Sequence, residues 1–138
     1  MKILSPFGPK IAIIKIPHNI VNKINKEVDK ILLDKKKLKK SDYSKKLVGQ
    51  VKQEIELSSK FIKQNLIKFI GKSIKEYVKK CAKKEIKKIS LRNLWVVRQF
   101  KNEYNPIHFH NGNISGVGYL KIPKNINKSE KKLRTHGT

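Results

Sequence analysis

Between residues 51 and 81 the apolar side chains return every three or four positions, and this spacing constrains the fold more than any other feature. Val51, Ile55, Ile62, Leu66, Phe69, Ile70, Ile74, Tyr77 and Cys81 mark the repeat, joined by the small Ser58 and Ser59, with lysines between them. A period near 3.6 gathers these positions on one side of an α-helix and turns the lysines to the other. The spacing predicts one long amphipathic helix, bent near Gly71, with its apolar stripe laid across a sheet. Lysines 79, 80, 83, 84, 87 and 88 then read as its exposed end, where cations complement the helix dipole.

The flanking segments supply a sheet and a second helix. Residues 11–16, I-A-I-I-K-I, are a β-branched run closed by Pro17 and read as a strand. Asn19 can cap a helix whose apolar positions are Ile20, Val21, Ile24, Val28, Ile31 and Leu32. Residues 34–46 are lysine-rich with little to bury, and read as a solvated loop or frayed helix end. From residue 89 the pattern turns to strands. Residues 89–100 carry Trp95, Val96 and Val97 in a buried strand, and Lys101-Asn102-Glu103 makes a turn. Residues 106–110 approach the next strand, Asn111-Gly112-Asn113 turns tightly, and residues 114–122 form another strand stopped by Pro123. Residues 124–138 are a polar tail. The expected class is therefore α+β, a single domain with a mainly helical part over residues 1–88.

Charge narrows the partners. Thirty-four Lys and Arg against ten Asp and Glu give a formal net charge of +24. Such a chain is drawn to polyanions, because released counterions drive basic proteins onto phosphate backbones. Only Arg92, Arg98 and Arg134 are arginines, whereas base-edge readout favours the guanidinium fork. Lysine also rises together with isoleucine and asparagine in AT-rich coding sequence, so charge alone supports non-specific polyanion binding. Cys81 is the single cysteine, which excludes an internal disulfide and a cysteine-based zinc cluster and fits a reducing cytoplasm. No apolar run approaches the ~18 residues a spanning helix needs, so no membrane partner is expected.

The chemistry concentrates in residues 104–123, Y-N-P-I-H-F-H-N-G-N-I-S-G-V-G-Y-L-K-I-P. In an extended chain residues i and i+2 share a face, so His108 and His110 present two imidazoles to the same side. Two such rings can ligate one metal ion. A chance H-x-H on a surface loop is the competing reading, and a cupin-like metal-binding protein is another.

The longer stretch W-V-V-R-Q-F-K-N-E-Y-N-P-I-H-F-H-N-G-N-I-S-G-V-G-Y-L-K-I-P resembles the signature of 2-oxoglutarate/Fe(II)-dependent oxygenases of marine bacteria and their phages, within the prolyl-hydroxylase-like superfamily. The close match covers residues 93–123. The resemblance implies a double-stranded β-helix (jelly roll) with amphipathic helices packed on one sheet, its core starting within residues 89–123. It implies an oxidoreductase, a dioxygenase that hydroxylates a C–H bond with Fe(II) as cofactor and 2-oxoglutarate as co-substrate. His108 takes the place of the first iron ligand, and His110 the place usually held by Asp or Glu. Tyr119 falls where the 2-oxoglutarate pocket is lined, and Asn93 and Trp95 where the cavity is lined or backed, although core packing is the commoner role for such a tryptophan.

The family's distal histidine and its co-substrate-gripping basic residue come from strands beyond the matched segment. His136, beside Arg134, sits in a polar stretch without a strand pattern, and His18 stands at a helix start where a structural role is expected. A jelly roll closes with about eight strands, and four candidates are visible. The expectation is a chain equivalent to the N-terminal part of a longer enzyme, unable by itself to complete the metal site. The alternatives are a basic nucleic-acid-binding protein and a cupin-like metal-binding protein without 2-oxoglutarate.

Overall fold

The computed structural model describes residues 1–44 and 50–123. Among these residues the chain is mixed α+β, with four helices and two small antiparallel sheets. Strand β1 (Lys2–Leu4) pairs with β2 (Ile11–Ile13) as a hairpin, whose loop turns through Gly8 at φ +102°, a conformation glycine adopts without Cβ strain. β2 is shorter than the expected run over 11–16, and the pairing of β1 with it was not legible. The chain after the loop is tied to the long helix described below: the Tyr77 hydroxyl donates to the Lys10 carbonyl (2.6 Å) and Lys10 Nζ donates to the Cys81 carbonyl (2.9 Å).

Helix α1 (His18–Leu32) buries Ile24, Val28 and Ile31, the face its periodicity foretold. Its cap position is Pro17, not Asn19. The Pro17 carbonyl accepts from Ile20 and Val21 N–H (3.0 and 3.1 Å). Proline suits a helix start because its missing N–H is not needed there.

Residues 34–46, expected as a solvated loop or frayed helix end, begin with a separate short helix, α2 (Lys35–Ser41), which buries no residue. The reason is a cap. Asp34 Oδ1 accepts from Lys36 and Lys37 N–H (3.0 and 3.1 Å), and Oδ2 meets Lys37 Nζ at 3.4 Å. These bonds, led by that from the Lys37 backbone, hold the Asp34 carboxyl below its ordinary range. Leu38, the lone apolar residue of α2, packs partly against the core.

The largest correction concerns residues 51–58. They do not extend the helix. Strand β3 (Gln53–Glu56) occupies this stretch, with Val51, Ile55 and Leu57 buried at alternating positions. Val51 and Ile55, four apart, satisfy both a helical and a two-residue period. Leu57 satisfies only the second. Helix begins after Ser58, whose Oγ accepts from Phe61 N–H (3.2 Å). α3 (Ser59–Asn65) and α4 (Ile67–Ala82) follow, and the break falls at Leu66 (φ −117°), whose side chain is buried, rather than at Gly71, which lies within α4. Helix α4 stops at Lys83, which takes the left-handed conformation (φ 56°). Lysines 83, 84, 87 and 88 therefore lie past the helix, and only Lys79 and Lys80 occupy its last turn.

Strand β4 (Trp95–Arg98) runs antiparallel to β3 in the register Gln53↔Arg98, Glu54↔Val97, Ile55↔Val96, Glu56↔Trp95. On the other edge of β3 an isolated bridge joins Asp42 to Ile55, and Tyr43 N–H donates to the Glu54 carbonyl (2.8 Å). β3 is thus flanked on both sides. The predicted turn at residues 101–103 is present: Glu103 N–H donates to the Phe100 carbonyl (3.2 Å) and Asn102 sits at φ 67°. One face of this sheet, through Ile55, meets Ile24, Val28, Ile31, Leu57 and Leu66, with Leu94, Val96 and Leu120 packed around them.

No strand forms at residues 114–122, contrary to expectation, and residues 106–110, expected as a strand's start or approach, are irregular. Alternation shows which side chains could share a face, but a strand also needs a neighbour to take its N–H and C=O groups. The segment lies against the N-terminal part instead. A Cβ on Gly118 would stand 3.0 Å from Ile16 Cδ1, so glycine permits that approach. Residues 124–138, with Arg134 and His136, fall outside the described residues. No helix among the described residues is long and apolar enough to cross a membrane.

Candidate functional site

Directly opposed residues of an antiparallel pair share a face, so the β3–β4 register sorts the sheet into two sides. Ile55 and Val96 point to the helices. Glu54, Glu56, Trp95 and Val97 point the other way, and Tyr43, opposite Glu54, joins them. This second face carries the site.

Four rings stand in a row upon it. Tyr43 stacks on Trp95 with centroids 5.6 Å apart, Trp95 meets His110 at 6.0 Å, and His110 meets His108 edge-on at 4.7 Å. Trp95 is half-buried and lies opposite the hydrophobic cluster, so it backs the histidines and is not a core residue. Asn93 is exposed just before β4. Tyr119 is exposed as well (73%), and its neighbour Leu120 is the residue that reaches the core.

The two histidines converge as their spacing implied. His108 Nε2 and His110 Nε2 lie 3.1 Å apart, and His108 Nδ1 lies 2.7 Å from the Pro106 carbonyl. A carbonyl only accepts, so Nδ1 of His108 carries the proton and, in the neutral ring, Nε2 keeps its lone pair. That lone pair accepts from His110 Nε2–H. A metal ion can stand between the two nitrogens once the His110 proton shifts from Nε2 to Nδ1 of the same ring: two cis nitrogens about 2.1 Å from one ion are about 3 Å apart. Anchoring of the distal ring nitrogen by a backbone carbonyl is also what a metal-bound histidine requires. The pair therefore fits two coordination positions. Among the described residues no three His, Cys, Asp or Glu groups are placed to hold one ion. His18 is the first residue of α1, away from this motif in sequence, and His136 is outside the described residues.

Two residues of this face were not singled out from sequence, Tyr43 and Glu54. Tyr43 is the lone aromatic in a lysine-rich stretch, and Q-E-I-E places charge in a strand, a usable signal once the two-residue period is recognised. Glu54 is 1% exposed and its Oε2 has no hydrogen-bond partner. Burial pushes its carboxyl above the ordinary range and the charge of Asp42 adds to this, while His108 draws it back. A cleft of about 180 Å³ lined by Leu38, Lys39, Asp42, Lys52, Gln53, Glu54 and Ile55 opens beside it without including either histidine.

Glu54 yields a stability prediction. Its carboxyl binds a proton more tightly in the folded chain than in the unfolded one. Its contribution is thus fully present below the unfolded carboxylate range and is lost as pH rises through the folded value. Glu54→Gln is expected to stabilise the protein at pH 7, because it removes the charge that burial and Asp42 disfavour. The gain should vanish when both proteins are unfolded in urea at a pH below the carboxylate range. A destabilised variant at pH 7 would mean that the charged carboxylate has a partner. Asp34 works in the opposite sense, since its lowered carboxyl loses its contribution as pH falls.

Comparison with protein-family models, with curated proteins and with solved structures finds no match to this chain.

Proposed function

We propose that this chain represents part of a cytoplasmic 2-oxoglutarate- and Fe(II)-dependent oxygenase of the jelly-roll kind, with His108 and His110 as two of its metal ligands and the third supplied, as the resemblance implies, by a strand beyond residues 93–123. The observation that carries the reading is the histidine pair itself: two Nε2 atoms 3.1 Å apart, one ring anchored through Nδ1, inside the segment that resembles the family signature. The single Cys81 supports a reducing compartment. Iron bound with 2-oxoglutarate supplies oxidative decarboxylation coupled to hydroxylation of a C–H bond.

The chain's own part begins with holding the two rings. Pro106 fixes the tautomer of His108, and Trp95 backs His110 on a sheet whose other face is packed against helices. Rigid support of this kind keeps a donor pair near the geometry a metal demands. Tyr119, exposed on the chain's surface, is the residue this reading assigns to the co-substrate, and it assigns Asn93 and Trp95 to the lining of the cavity.

Anaerobic titration tests the reading. In a protein extended to carry the third ligand, Fe(II) followed by 2-oxoglutarate is expected to raise the visible charge-transfer absorption of the chelate, and neither addition alone should do so. Metal binding without that band would leave a cupin-like metal protein. Neither band nor 2-oxoglutarate-dependent succinate formation would end the oxygenase reading.

A further inference from the structure

Helix α4 carries a second surface of a different kind. Lys68, Lys72, Lys75 and Lys79 are all exposed, and at 100° per residue they fall within an arc of about 60°. Ile70, Ile74, Tyr77 and Cys81 occupy the opposite side, where they are half-buried. The stripe from Lys68 to Lys79 is about 16 Å long, at 1.5 Å per residue.

No acid lies on this arc. Glu76, the one acidic residue of α4, sits at its margin and pairs with Lys80 (2.8 Å). Lys79 meets Glu85 at 2.9 Å, beyond the helix end. Lys68, Lys72 and Lys75 have no ion pair among the described residues. Like charges at i,i+3 and i,i+4 repel along a helix. Glu76 offsets part of this repulsion at Lys72 and Glu85 part of it at Lys79, and an anion laid along the stripe would offset the rest.

We propose that the Lys68–Lys72–Lys75–Lys79 stripe of α4 is a docking surface for the phosphodiester backbone of nucleic acid, held without base readout. Its length matches roughly five phosphates of one strand at 3.4 Å each. Lysine provides hydrated point charges, which suit phosphate contacts that position a backbone and carry no sequence information. An anionic bilayer fits less well. A membrane-surface helix sinks its apolar side into the lipid, and that side of α4 is already turned inward, with Tyr77 bonded to Lys10.

Fluorescence anisotropy with labelled mixed-sequence DNA, single- and double-stranded, tests this across a salt series. Each lost phosphate contact on duplex lowers the slope of log K against log salt by about 0.9. The triple variant Lys68→Gln, Lys72→Gln, Lys75→Gln is expected to flatten the slope by roughly 2–3 and to weaken binding alike for all sequences. A control with the same charge change on α2, Lys35→Gln, Lys36→Gln, Lys39→Gln, should leave the slope nearly intact. Far-UV circular dichroism should show both variants folded, since the substituted side chains are exposed. Equal losses in the two variants would overturn the assignment, because binding would then follow total charge. Stripe-dependent binding to phosphatidylserine vesicles with unaltered DNA binding would overturn it in favour of lipid.

Discussion

Truncating Ile55 to alanine is expected to cost about 2–5 kcal/mol, the range for deleting a fully buried aliphatic side chain. Ile55 is 1% exposed and stands where β3 meets the helices, in the cluster with Ile24, Val28, Ile31, Leu57 and Leu66. Few residues share the load, because the described residues bury only eight hydrophobic side chains. A domain's whole stability is about 5–15 kcal/mol, so this one truncation removes a large part of it. Urea unfolding followed by circular dichroism measures the loss. Leu33→Ala, at an 88% exposed position, should fall within about 0.5 kcal/mol of the parent. Leu57→Ala separates the two readings of this stretch. A helix spanning residues 51–81 would put Leu57 far around from Ile55 and leave it cheap to truncate. In β3 the two share the core face, and Leu57→Ala should cost nearly as much as Ile55→Ala. A cost below about 1 kcal/mol at Leu57 would restore the helix.

In a protein extended to carry the third ligand, His108→Ala should abolish measurable binding of a divalent cation, a loss of at least about 100-fold. The basis for the number is that changes to groups merely supporting a ligand already cost 10–100-fold. His108 is the anchored member of the pair, with Nδ1 on Pro106 and Nε2 toward His110. His110→Ala should weaken binding severely. Both residues are exposed, outside the hydrophobic cluster, so the unfolding midpoint of either variant should stay close to the parent's. Calorimetric titration with Co(II) or Zn(II), repeated in buffers of different ionisation enthalpy, reads affinity and proton release together. A neutral imidazole ligates through its lone pair, and His110 only moves its proton from Nε2 to Nδ1 of the same ring, so binding to the two neutral rings is expected to release close to no net proton. Undiminished affinity in the His110 variant would place that ring outside the coordination sphere. Undiminished affinity in both would move the metal elsewhere.

The parts legible in the sequence share one property: their physics is local. Helix α1 and the run from Ser59 to Ala82 follow from a repeat whose partners lie one turn apart. The turn closing at Glu103 lies in a polar Lys-Asn-Glu stretch, with Asn102 in a conformation asparagine tolerates. The convergence of His108 and His110 needs only an extended chain across three residues. Even the missed cap of α2 was local, since Asp34 stands directly before it.

The rest depended on contacts between distant residues. Val51 and Ile55 fit two periods, and pairing with residues 95–98 across some forty positions chose the strand. The same pairing put Glu54 on the side of the sheet that carries Trp95 and left its Oε2 without a hydrogen-bond partner. Residues 114–122 carry an alternating pattern, yet no ladder takes them up among the described residues. By itself, then, the sequence determined α1, the helical run after Ser58, the turn and the two imidazoles on one side. Only the tertiary structure decided which apolar run became a strand, which face of it was buried, and which rings stand beside the histidines. Helical hydrogen bonds close within four residues and so are written in any window of the chain. A strand's bonds are made to another segment, and no window of β3 contains β4.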